Sequence, residues 1–303
     1  MTRAPCLTAS ASAAAARCRY STADRQQPPR QHPPIVLSGI QPTGTPHLGN
    51  YLGAVRQWSQ LQHSHPCVLY SIVDLHALTA HPPVAPAVLR QSIRDTAALL
   101  LAAGIDPAKS ALFQQSHVPA HANLAWVLTC LSSAGWLARM TQWKAKAGGG
   151  AAAVASEQGV PPGLKMGLFS YPVLMAADIL VYQATHIPVG DDQLQHLELA
   201  RLIAKTFNST YKTDLFPMPQ AITLTSGKRI MSLTDPTSKM SKSAPSDSSR
   251  IHLTDSNDVI VKKIRRAVTD SAPTITFDTT NRPASATCCL CTRRATIFLI
   301  QQA

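Results

Sequence analysis

The sequence predicts an α/β domain built on a parallel sheet, and three observations point there. Short apolar runs alternate with amphipathic helical stretches from residue 35 to residue 207. Those runs read as buried strands. A length of 303 residues with 45% hydrophobic and 15% charged residues supports one large domain or two unequal ones.

The elements follow in order. Ile35-Val36-Leu37, ended by Ser38-Gly39, reads as a strand, and a Pro/Gly/Thr loop runs on to Pro46. "HLGNYLGAVRQWSQLQ" then places Leu48, Leu52, Val55, Trp58 and Leu61 at helical spacing. Cys67 to Val73 is a second strand, ending at Asp74. A helix opens at Pro86 and closes at Gly104, with Leu89, Ile93, Thr96 and Leu100 on one stripe. Ala111 to Gln115 reads as a strand, and Asn123 to Lys146 as largely helical. The low-complexity run "AGGGAAAVASEQGVPPG" at 147–163 is expected to be a mobile loop. Tyr171 to Tyr182 returns to helix and His186 to Val189 to strand. A helix from Asp192 turns Leu194, Leu197, Ala200, Ala204 and Phe207 inward. Ser256 caps a last helix, with Ile260, Ile264 and Val268 packed and its basic residues exposed. In such sheets ligands bind beyond the carboxyl ends of the strands, where the loop at 40–46 lies.

Charge narrows the function. The formal net charge is +12, which suits a polyanionic partner or a targeting peptide. Residues 1–34 hold Arg3, Arg17, Arg19, Arg25 and Arg30 against Asp24 alone, with no apolar run long enough for a membrane span or secretory signal. Arg-rich, Ser-rich and acid-poor is the composition of an organellar transit peptide. Without it the chain keeps about +8, and residues 226–266 hold nine basic residues against four acids. Seven scattered cysteines suit a reduced compartment, and Cys288, Cys289 and Cys291 lack partners at zinc spacing, so no metal site is expected.

Two motifs carry chemistry. "GIQPTGTPHLGN" places His47, Gly49 and Asn50 at a helix start, where free backbone N–H groups and a positive dipole end can seat a phosphate. Alone, the pattern equally describes an ordinary N-cap with a surface histidine. "TSKMSKSAP" (237–245) sets Lys239 and Lys242 among small hydroxyl residues, and alone describes a solvated basic turn.

Together, about 190 residues apart, the two resemble the paired signatures of the class I aminoacyl-tRNA synthetases, with Asn50 standing where the last histidine of the first signature is usual. "SGIQPTG" (38–44), "IVDLHAL" (72–78), "RMTQWK" (139–144), "YPVLMAADIL" (171–180) and "PVGDDQLQH" (188–196) are similar to the tryptophan-specific branch, from about Ile35 to Pro283. The tyrosine-specific branch is the nearest rival.

The resemblance implies a Rossmann-type catalytic domain over 35–235. It implies the lysine-rich loop and the start of a helical tRNA-binding domain over 236–283. The implied activity joins L-tryptophan to ATP as an adenylate, with Mg²⁺, and passes it to tRNA(Trp). A homodimer in the mitochondrial matrix, or in a plastid, is the implied setting. His47 and Asn50 would hold the triphosphate, Gln41 would lie beside the reacting centre, and Lys239 and Lys242 would meet the leaving pyrophosphate. Gly49, Lys146, Gly190, Asp192, Met240 and Ser241 match ATP-binding positions. Asp178 would accept the indole N–H, a donor-only group, with Met175 packed on the ring one turn earlier. Tyr171 and Gln193 match positions that bind the substrate amino group, and His76 and Val189 match pocket-lining positions. For Asp178 a structural pairing, and for His76 a satisfied core histidine, are the competing readings.

The chain departs from the family pattern at Ala244, where Asp is usual, and at Ala138, where an acid is usual. After "ITFDTTNRP" (275–283) the tail 284–303 diverges, and the helices expected to read the anticodon do not follow. A truncated form that only adenylates, or a non-catalytic RNA-binding form, is the alternative.

Overall fold

The structure is a computed structural model that describes residues 31–80, 82–146, 164–190, 193–223, 230–241, 244–270, 278, 282, 284–287 and 289. The expected transit segment up to residue 30, the expected loop at 147–163 and most of the divergent tail lie outside them.

Five strands run parallel: β1 (Ile35–Ile40), β2 (Cys67–Ile72), β3 (Ala111–Gln114), β4 (His186–Val189) and β5 (Gln220–Thr223). Their order is β3-β2-β1-β4-β5, a Rossmann-type sheet whose order reverses between β1 and β4. β1 pairs with β2 from Ile35 opposite Cys67 to Ile40 opposite Ile72, which sets their carboxyl ends level. β5 was not anticipated, because "QAIT" is too short and too mixed to stand out as an apolar run.

Successive strand residues face opposite sides, and the two cores divide accordingly. Leu37 enters a core with α5 (Ala120–Leu131), α6 (Ala134–Ala138), α8 (Met166–Leu180) and α9 (Leu194–Thr210). Val36 enters the other, with α2 (Arg56–Ser64), α4 (Pro86–Ala102), and Ile230, Leu233, Met240 and Ile251 from beyond the sheet. The helical run before α2 begins as α1 (Leu48–Asn50) and passes through a π turn at Tyr51–Val55, a widening frequent near functional sites. Its buried stripe is the expected Leu48, Leu52, Val55 and Trp58. Trp58 stacks on Tyr70 at 5.2 Å, and the Tyr70 hydroxyl donates to the Trp58 carbonyl at 2.6 Å. Gly104, at φ +97°, ends α4 in the left-handed region that glycine enters without strain.

Two further short helices are α3 (Asp74–Ala77) after β2 and α7 (Thr141–Lys146), and α10 (Asn257–Arg265) packs Ile260 and Ile264 on the second core. Three expectations change. Leu194 is exposed because α9 starts there and its first turn projects past the core. Val268 is exposed because α10 has ended at Arg265. Lys263, expected in solvent, is buried between Asp247 and Asp255, each 2.8 Å from its ammonium. Among the described residues no helix is long and apolar enough to cross a membrane.

Candidate active site

The carboxyl ends of the strands collect the polar side chains. After β2, Asp74 accepts from Ser116 N at 3.0 Å through Oδ1, and through Oδ2 from Ser116 Oγ at 2.6 Å and Gln114 Nε2 at 2.7 Å. This ties the end of β2 to the end of β3. Gln115 is oriented by the same junction: its Oε1 accepts from Leu75 N at 3.1 Å, so its Nε2 points the other way and donates to Asp178 Oδ1 at 2.7 Å.

Asp178 is 5% exposed on α8 and would be costly there unpaired. It receives three donors. His121 Nδ1 meets Oδ1 at 2.7 Å, Gln115 shares that oxygen, and His76 Nε2 meets Oδ2 at 2.8 Å. Burial pushes the Asp178 carboxyl toward its neutral form, but the hydrogen bonds from His121, His76 and Gln115 outweigh it and hold its pKa below the ordinary carboxylate value. An ionised carboxylate offers about four acceptor sites. Oδ1 has both of its sites filled, and Oδ2 keeps one beside His76. Only the His76 and Asp178 side chains keep exposure, 7% each, while His121 and Gln115 keep none. The single open acceptor site therefore lies on the side that solvent can reach.

Met175 sits half-buried one turn before Asp178, and the Tyr171 ring stands edge-on to His76 at 6.2 Å. The Tyr171 hydroxyl donates to Gln142 Oε1 at 3.0 Å and accepts from His196 Nε2 at 2.9 Å. Burial pushes it up to about 12, so it stays protonated at neutral pH. Gln195 holds α9 to the start of α7 through Thr141 N and Oγ1, at 3.0 and 2.9 Å. Val189 ends β4, Gly190 follows it exposed, and Gln193 caps α9 with its N–H on the Gly190 carbonyl.

Across the sheet, Gln41 is exposed just past β1. His47 is 3% exposed, which removes the surface-histidine reading. A Cβ on Gly49 would come within 3.0 Å of the His47 ring, so glycine is what lets the imidazole lie against the backbone. Asn50 Oδ1 accepts from His47 N at 3.1 Å. The helix start is less open than its sequence predicts, because Leu48 N donates to the Ile251 carbonyl at 2.9 Å. Leu253 N donates to the Pro46 carbonyl at 3.1 Å, and His47 pairs antiparallel with His252. The first signature thus meets, through backbone, the segment 251–253 that follows the lysine loop.

Lys239 is exposed, in an antiparallel bridge with Met231. Met240 beside it is 2% exposed, so its side chain anchors the segment in the core, and its N–H donates to the Ile230 carbonyl at 2.9 Å. Arg250 Nη1 donates to the carbonyls of Ser241 at 3.4 Å, Ala244 at 2.9 Å and Ser246 at 3.3 Å, gathering the segment from inside. Lys242 and Asp192 lie outside the described residues, and of Lys146 only its backbone place at the end of α7 is described.

The sequence reading missed Gln115, His121, Tyr182, Arg250 and Lys263. The rule that ligands gather at strand carboxyl ends would have found Gln115, one residue past β3. His121, at the start of α5, carried no such signal.

A family model described as tRNA synthetases class I (W and Y) matches residues 29–297. The chain belongs to that family. A tryptophan--tRNA ligase from Brucella melitensis is 49% identical over 257 residues, 78% of this chain and 69% of the relative. The tryptophanyl-tRNA synthetase structure from Mycoplasma pneumoniae superposes with a TM-score of 0.71 at 40% identity, covering 84% of this chain and 70% of that one. The Campylobacter jejuni synthetase, described as complexed with ADP and tryptophan, superposes at 0.70 with 33% identity, covering 87% and 78%. As a class I synthetase, the chain carries its site at the switch point of its sheet.

Proposed function

We propose that this chain activates L-tryptophan with ATP to tryptophanyl-adenylate and pyrophosphate, then transfers the aminoacyl group to tRNA(Trp). The observation that carries the reading is Asp178: a buried, ionised carboxylate with one acceptor site left, in a site otherwise lined by Met175, Tyr171 and His76. An indole N–H only donates and needs that site. The phenol of tyrosine would also need a donor, so the arrangement favours tryptophan over the rival branch.

In the first step the tryptophan carboxylate attacks the α-phosphorus and pyrophosphate leaves. The protein's task is alignment and compensation of the charge that develops on phosphate oxygens. His47 and Asn50 would seat the triphosphate, with Gly49 keeping the approach open. Gln41, past β1, would lie beside the reacting carboxylate, and Gln193 near the ammonium. Gly190 and Ser241 would line the nucleotide, and Lys239, Lys242 and Lys146 would follow the departing pyrophosphate as point charges on flexible stems. Mg²⁺ would arrive on the triphosphate, held by phosphate oxygens and water.

The basic face of α10, with Lys262, Arg265 and Arg266, suits the phosphates of tRNA. Trp126, 71% exposed on α5 beside the 42% exposed Val127, is a candidate contact for the homodimer, which light scattering would detect. Entry into a mitochondrion or plastid rests on the composition of residues 1–34, and a fluorescent protein fused to that segment tests it.

Tryptophan-dependent exchange of labelled pyrophosphate into ATP is the decisive assay. Exchange with tryptophan and none with tyrosine is expected. No exchange by well-folded protein would overturn the reading in favour of a non-catalytic RNA-binding role.

A further inference from the structure

We propose that His121 is a positioning residue for indole selectivity, acting through a buried chain from Tyr182 to His121 to Asp178. The inference rests on Asp178 accepting the indole N–H. His121 is wholly buried and touches two partners, Asp178 Oδ1 through Nδ1 at 2.7 Å and the Tyr182 hydroxyl through Nε2 at 2.9 Å. A carboxylate only accepts, so Nδ1 carries the proton and donates. The ring's other nitrogen, Nε2, meets the Tyr182 hydroxyl, which closes the chain behind Asp178.

The ring is packed by aromatic neighbours as well. Phe113 lies 6.0 Å from it and Tyr182 5.3 Å, and Phe113 and Tyr182 also pack on one another at 5.5 Å. His121 therefore cannot swing to release Oδ1. With Gln115 on the same oxygen, the carboxylate plane is fixed from behind by two donors from separate elements, the turn at Gln115–His117 and α5. His76 fixes one site of Oδ2. What remains is one acceptor direction, and two of the three residues that set it, Gln115 and His121, are wholly buried behind the carboxylate. A carboxylate free to rotate would offer either oxygen, at varied angles, and would accept from a phenol or a water as readily as from an indole.

The test compares tryptophan with its benzothienyl analogue, in which sulfur replaces the N–H, in pyrophosphate exchange by the full chain. His121→Phe keeps the ring packing and removes both hydrogen bonds. It is expected to lower kcat/KM for tryptophan relative to the analogue by about tenfold. The KM for ATP should stay within about twofold, since the loss is confined to indole recognition. His121→Asn, whose amide nitrogen can reach the place of Nδ1, should recover most of that ratio. Equal losses for both amino acids would reveal a purely structural role and overturn the proposal. If His121→Phe does not fold, Tyr182→Phe decides: a drop of about twofold to fivefold in the same ratio supports the chain, and an unchanged ratio overturns it. Asp178→Asn separates the layers. If it leaves the ratio unchanged, the assignment of Asp178 itself fails; if it collapses the ratio while the His121 and Tyr182 variants do not, only the positioning role fails.

Discussion

Around Asp178 the contacts join buried side chains from four elements, whereas around Lys239 and His47 they are made largely by backbone. On the side proposed for the indole, Gln115, His121 and His76 converge on one carboxylate. On the phosphate side, Leu48 N, Leu253 N and Met240 N reach carbonyls, Arg250 gathers three more, and Lys239 stays in solvent. The difference matches what each half would do in the proposed reaction. A neutral N–H is recognised by direction, which rewards rigid side chains in a low dielectric. A triphosphate that becomes pyrophosphate moves its charge, which rewards mobile ammonium groups on an anchored backbone. Met240, buried beside exposed Lys239, is that anchor.

Substitutions on each side should therefore fail differently. Asp178→Ala strands three buried donors, and is expected to cost about 3–5 kcal/mol of stability and abolish tryptophan-dependent exchange; denaturant titration reads the first and the exchange assay the second. Lys239→Ala should leave the denaturation midpoint in place while slowing adenylate formation about 100-fold. Single-turnover kinetics with unchanged tryptophan binding would establish it, and equal losses in both steps would refute it. Gly49→Ala pushes a methyl against the His47 ring and should raise the KM for ATP about tenfold, with tryptophan selectivity intact. The smallest effect belongs to Asp247, whose pKa its hydrogen bonds to Lys263 and then His252 lower to about 2. Since that value lies below the ordinary 3.8, the contribution is full above about pH 4 and is lost as pH falls through 2. The side chain is 62% exposed, so screening keeps the contribution below about 1 kcal/mol. Asp247→Asn should flatten the acid limb of a stability-against-pH curve by that amount.

The sheet was legible because β1, β2 and β4 are short apolar runs in a chain whose helices keep their stripes. The candidate site residues were singled out through linear motifs, and Asp178 stood out as one acid on an apolar helix. What escaped depends on pairing across distance. Nothing near His121 in sequence announces that it faces Asp178, 57 positions later. Lys263 reads as one of several surface lysines on α10, and only the fold brings Asp247 and Asp255 to it. The exposure of Leu194 and Val268 turned on helix ends, where a one-turn shift moves a residue out of the core.

The pairing of His47 with His252 also sets a schedule. A contact across roughly 200 residues closes late, because loop-closure entropy is met before the contact repays it. On the ribosome, at about 5–20 residues per second, the turn at Pro46 to Asn50 emerges tens of seconds before the segment that completes it. Until Ile251 and Leu253 are made, Leu48 N–H and the Pro46 carbonyl bond to water. A nascent chain thus completes this proposed nucleotide seat only when synthesis has passed the lysine segment.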